Sequence, residues 1–129
     1  MNENEISKII VNTSIGLHRK LGPGLLESVY QRILAYELRK TGLRVETEAP
    51  VPIQWDGNIV DESFRADMII EDVVLLELKS VEKLNAIHKK QVLTYLKLAN
   101  IRLGILLNFG AELMKEGIQR VANGLPEEL

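Results

Sequence analysis

The stretch ADMIIEDVVLLELKS, residues 66–80, is two aliphatic runs parted by Glu71-Asp72, and the runs themselves carry three charged residues: Asp67, Glu77 and Lys79. The stretch reads as two strands joined at Glu71–Val73. Side chains alternate between faces along a strand, and directly opposed residues share a face. A register that sets Ile70 against Val74 puts Ala66, Met68, Ile70, Val74, Leu76 and Leu78 on one side. Arg65, Asp67, Ile69, Leu75, Glu77 and Lys79 fall on the other, with Asp67 facing Glu77. A one-residue slip mixes charge with hydrocarbon on both faces, so the pattern selects this register. It requires an odd-length loop or a bulge at 71–73.

The register brings two carboxylates to within about 4.5–5.5 Å at their Cβ atoms. Like charges that close raise a pKa unless something neutralises them. Two neutralisers are available. Arg65 and Lys79 can make a plain cross-strand ion network, or a divalent cation can gather both acids. Mg²⁺ takes one or two carboxylates and completes its shell with water and phosphate. The strand VVLLELKS is too apolar for a sheet edge, so Glu77 and Lys79 belong to an interior or a cleft, where charges must be paired or bound to metal.

A helix after this strand carries a second group. On its projection Leu84, His88, Gln91, Val92, Tyr95 and Ala99 form one arc, which sets His88, Gln91 and Tyr95 within the apolar side and leaves Lys90, Thr94 and Lys97 to solvent. Ordinary semi-buried polar residues would read the same way one at a time. Their convergence next to the ExK strand points to a shared site.

Together these residues resemble a known set. Asp67 followed by Glu77-Leu78-Lys79 is similar to the D…(D/E)xK signature of the restriction-endonuclease-like nuclease superfamily. QVLTY, Gln91 to Tyr95, resembles the QxxxY motif of its RecB-like exonuclease branch. GLLESVY, Gly24 to Tyr30, matches the motif of the GxxExxY family, a small bacterial group in that superfamily. The likeness runs from the first helix to the strand at 102–109. Ala66 stands where the superfamily has proline.

The resemblance implies roles by position. Asp67 and Glu77 would hold Mg²⁺ or Mn²⁺, with the Leu78 carbonyl as a further ligand and Glu27 touching the metal directly or through water. Lys79 would orient the attacking water and stabilise charge on the scissile phosphate, and Gln91 and Tyr95 would orient Lys79 or contact DNA. His88, Lys83 and Lys89 are the remaining candidates for nucleic-acid contact. Read from position alone, Glu27 is also a first-turn acid that gains about 0.3–1 kcal/mol from the helix dipole. The lysines at 83, 89, 90 and 97 fit a phosphate-tracking face or a solvated one. Tyr30 reads as packing with a hydroxyl contact, Gly24 as a helix start or a point of close approach, Trp55 as a partly exposed aromatic and His18 as a surface histidine.

The elements that must position these groups follow from periodicity. Ile6, Ile9, Ile10, Thr13 and Leu17 predict a helix over about 4–20, ended by the GPG at 22–24. Leu26, Val29, Ile33, Leu34 and Leu38 predict a second over 25–40, closed by Thr41-Gly42. LRVETEAPVPIQW predicts one or two strands, with Pro50 and Pro52 marking an edge. DGN at 56–58 is a hairpin turn; a strand over about 59–62 follows, either running on through 64–70 or followed by a separate strand there, and 73–80 is the next. Asn85 caps a third helix over 86–99. RLGILLNF predicts a buried strand and 111–121 a closing helix. The order ααβββ(β)αβα describes an α/β fold: a restriction-endonuclease-like core with a mixed sheet of about four to five strands flanked by helices.

Bulk composition agrees. The chain's 129 residues suit a single domain, and 46% hydrophobic with 26% charged residues is a globular balance. Lacking cysteine, it has no disulfide or thiolate metal site, which suits a reducing cytoplasm. No apolar run approaches the roughly 20 residues of a membrane span, and the polar N-terminus is wrong for a signal peptide. The net charge of −2 is not that of a protein that coats nucleic acid, yet residues 79–102 hold six Lys/Arg against Glu82 alone. The expectation is a metal-dependent nuclease acting on DNA without strong intrinsic specificity, because no insertion is evident to read base edges. A homodimer or a protein partner is the expected source of any specificity, and QxxxY leans towards the processing of ends. The rival is a catalytically silent nuclease fold that binds nucleic acid or protein.

Overall fold

Helix α1, Glu3–Leu21, opens on Asn2, whose side chain accepts the Glu5 N–H at 2.9 Å. Acids in its first turn and His18, Arg19 and Lys20 in its last turn complement the helix dipole. It buries Ile6, Ile10 and Leu17. Helix α2, Glu27–Lys40, buries Tyr30, Leu34 and Leu38 against the same sheet face. The computed structural model describes residues 1–126, apart from the side chains of residues 61–63. Among the described residues no helix is long and apolar enough to cross a membrane.

Among the described residues five strands form one mixed sheet in the order β1-β2-β3-β4-β5. Strand β1 (Val45–Trp55) and strand β2 (Asn58–Ile70) make a long antiparallel hairpin, turned at Asp56-Gly57, where both residues have positive φ. The two prolines lie on β1, an edge strand, where a missing N–H costs no ladder bond. Strand β3 (Val74–Lys79) is central, as its apolar sequence requires. Helix α3, Ala86–Ala99, crosses to strand β4 (Leu103–Asn108), parallel to β3.

The β2–β3 register is the one alternation predicts: Ile70 faces Val74, Ile69 faces Leu75 and Met68 faces Leu76. The loop is three residues long, with left-handed Glu71 and Asp72 (φ 51° and 61°) in the pattern of a type I′ turn. Met68, Ile70, Val74, Leu76 and Leu78 pack under α1 and α2, while Ile69 and Leu75 pack under α3.

Two expectations about the sheet change. Ala66 belongs with the α3-side core, together with Val51 and Phe64, and not with Met68 and Ile70. The β1–β2 ladder is irregular there: Thr47 pairs with Met68 and Ala49 with Ala66, but Glu48, at φ 49°, makes no ladder pair with Asp67. The register is the same on both sides of Glu48; the shift in this ladder comes further on, between Pro52 and Ile53. The segment 111–121 is not a helix. It forms a 3-10 turn at Met114–Glu116 and strand β5, Ile118–Ala122, antiparallel to β4. All six β4 residues are buried, so β4 needs a backbone partner on its second side, and a helix offers none.

Candidate active site

Beyond Met68 and Leu76 the β2–β3 ladder stops, and carboxylates replace backbone carbonyls as acceptors. Asp67 Oδ2 accepts the Leu78 N–H at 2.7 Å, and Glu77 Oε1 accepts the Asp67 N–H at 3.3 Å. The two acids thus interlock the strands at the fork. Burial is the main cause that lifts the pKa of Glu77, to about 8, and the Asp67 charge adds to it; the Lys79 ammonium offsets only part. Asp67 is also raised, first by burial, against the lowering from the Leu78 N–H and the bond to Glu77, and with further repulsion from Glu48 and Glu27. Near neutral pH the pair therefore keeps a proton.

Arg65 does not resolve this charge. Its Nη1 donates to the Glu48 carbonyl at 3.0 Å, and its side chain is exposed. What remains is two half-buried carboxylates under-compensated by one ammonium, a donor set that suits a hard divalent cation. Among the described residues no group of three or more His, Cys, Asp or Glu side chains gathers closely enough to ligate an ion. Two acids supplemented by main-chain oxygen and water remain within what Mg²⁺ accepts.

Lys79 ends β3, paired with Asn108 of β4, and its carbonyl accepts the Phe109 N–H at 2.8 Å. Glu27 is the first residue of α2, and it also reaches the site: its Oε1 accepts the Ser80 N–H at 3.3 Å, and its charge is felt at Asp67. The GxxExxY residues build this approach. Gly24 has φ 112°, a conformation that disfavours any side chain, with open space around it, so it serves the turn and not a close approach. The Tyr30 hydroxyl donates to the Gly22 carbonyl at 2.5 Å and accepts the Leu25 N–H at 3.2 Å, and its ring stacks on Phe109 at 4.6 Å. Ser80 Oγ closes the circuit on the Leu25 carbonyl at 2.7 Å.

The helix α3 candidates separate. Gln91 is exposed, and its Nε2 donates to the Tyr95 hydroxyl at 2.9 Å. Tyr95 is half-buried and stacks on Phe64 at 4.1 Å. His88 is a helix-capping residue, its Nδ1 accepting the Asn85 N–H at 3.1 Å. The buried face of α3 is Val92 and Leu96, so His88 and Gln91 flank it instead of lying within it. Lys83 and Lys89 are exposed. His18, expected at the surface, is buried, with Nε2 donating to the Phe109 carbonyl at 3.2 Å. Trp55 is exposed as expected.

Two residues escaped the sequence reading. Glu48 approaches Asp67 because Thr47 pairs with Met68 and Ala49 with Ala66, a register reached through the shift between Pro52 and Ile53, which leaves no sequence signal. Asn108 had one: it is a polar residue in an oily strand, the same anomaly that singles out Glu77.

Residues 4–121 match the PD-(D/E)XK nuclease superfamily, and the chain belongs to it. A solved structure described as "Crystal structure of SSO0001" shares the fold at a TM-score of 0.56 and 22% identity, over 77% of this chain and 50% of that one. The chain thus spans half the length of that protein. Among curated proteins none matches the sequence.

Proposed function

We propose that the protein is a divalent-metal-dependent nuclease that hydrolyses phosphodiester bonds of DNA, and that it belongs to the GxxExxY group with a QxxxY element of the RecB-like kind. The observation that carries this reading is the interlocked Asp67–Glu77 pair with Lys79 two residues on. Asp67 and Glu77 would hold Mg²⁺ or Mn²⁺, aided by the Leu78 carbonyl and Glu27. The cation would supply Lewis-acid charge that activates water and offsets charge on the phosphate. Lys79 donates hydrogen bonds to the phosphate and orients the water. Tyr95 and Gln91, on the β2 side of α3, would contact a nucleic-acid backbone there, and exposed Lys83 and Lys89, towards β5, would be separate phosphate contacts.

The test is cleavage of linear and circular, single- and double-stranded DNA with Mg²⁺, Mn²⁺ or EDTA, beside Lys79→Ala and Glu77→Ala. Metal-dependent cleavage lost in both variants, by about 100-fold or more, is expected. Equal cleavage by all three proteins would expose a contaminant. DNA binding without cleavage would instead support a silent binding module.

A further inference from the structure

Lys79 occupies a strand end, with the β2 ladder already lost, and β4 alone flanks it in the sheet. Ends of this kind fray. Five hydrogen bonds and one close backbone approach below the site oppose it. The Asn108 carboxamide repeats a β-bridge with the residue two beyond the lysine: Val81 N–H donates to Oδ1 at 3.0 Å, and Nδ2 donates to the Val81 carbonyl at 2.9 Å. The same Oδ1 accepts the Gly110 N–H at 3.1 Å. A Cβ on Gly110 would stand 2.2 Å from the Val81 carbonyl oxygen, so the two loops touch at backbone distance. His18 holds the intervening Phe109 carbonyl, while the Phe109 N–H holds the Lys79 carbonyl.

We propose that Asn108 is a positioning residue of the nuclease reaction: through Val81 it fixes the backbone that aims Lys79, without itself touching substrate. The inference rests on the nuclease reading above. Asn108 is 2% exposed, and its side chain spends a donor and an acceptor on one residue's backbone. Only a carboxamide does both; aspartate of the same size lacks the donor. A lysine displaced by about 1 Å loses on the order of 100-fold in rate.

The experiment compares wild type, Asn108→Asp and Asn108→Ala in DNA cleavage with Mn²⁺, well below each protein's melting temperature, and repeats Asn108→Asp in a Lys79→Ala background. The expected result is kcat lower by about 10–100-fold with KM within about threefold. Mn²⁺ affinity measured by calorimetry stays at the wild-type value, and no further loss appears once Lys79 is alanine. Folded Asn108→Asp with wild-type kcat overturns the inference, as does a loss that multiplies with Lys79→Ala or follows weakened Mn²⁺ binding. Wild type that fails to cleave any DNA defeats the nuclease reading itself, and this inference with it.

Discussion

At the residue scale the protein accepts an electrostatic cost. The raised Glu77 carboxyl binds a proton in the folded chain that it gives up in the unfolded one, so between its ordinary 4.5 and about 8 the folded state holds more protons. Metal-free stability therefore falls as pH rises through that window and levels off above it. Glu77→Gln removes the ionisation. It should stabilise the metal-free protein at pH 9 by about 1–3 kcal/mol, while changing little at pH 4.5. Thermal melts in EDTA across that range measure this. A variant that gains nothing at pH 9 would mean that the fork does not confine the charge. The fork itself was legible from alternation, because only one register keeps charge and hydrocarbon apart. Glu48 was not, because the register shift between Pro52 and Ile53 moves the β1–β2 pairing away from the one the turn at 56–57 sets. Nor was His18, because the α1 periodicity does not reveal that Phe109 and the loop after β4 cover its last turn.

At the element scale, the loops decide what the strands and helices present. The hydroxyl of Tyr30 ties the α1–α2 connection together just before Glu27. Tyr30→Phe should cost about 0.5–1.5 kcal/mol in denaturant unfolding, because a part-buried carbonyl and an N–H lose their partner. Its effect on cleavage should exceed the stability loss if that loop delivers Glu27. In the β2–β3 turn, Asp72 holds φ 61° and pairs with Arg44 at the surface. An exposed pair is worth little, about 0–1 kcal/mol. Glycine at a positive φ relieves more, so Asp72→Gly should raise stability by about 0.5–1 kcal/mol. The two N-terminal helices, the hairpin and α3 could be read from periodicity and turn chemistry. The segment after β4 could not: Met114, Ile118 and Val121 recur at spacings close to a helical period. Strand pairing prevails because the buried edge of β4 demands it.

At the scale of the whole molecule, an acidic chain carries one run of basic residues, poor in acids, on and beside α3. Lys83, Lys89, Lys90 and Lys97 are exposed on that flank. If they follow a DNA backbone, affinity measured with Ca²⁺ should drop steeply with salt, and each phosphate contact removed should lower the slope of log K against log salt by about 0.9. Lys89→Ala with Lys90→Ala should weaken all sequences alike. An unchanged slope would assign these lysines to solvent. The central claim, however, is that Asp67 and Glu77 share a divalent cation, and calorimetric titration with Mn²⁺ near pH 7 tests it most directly. Saturable binding of a single ion, releasing part of a proton as the shared carboxyl ionises and abolished by Asp67→Asn or Glu77→Gln, is the predicted result. Binding that survives both substitutions, or none by the folded wild-type protein, would contradict the account.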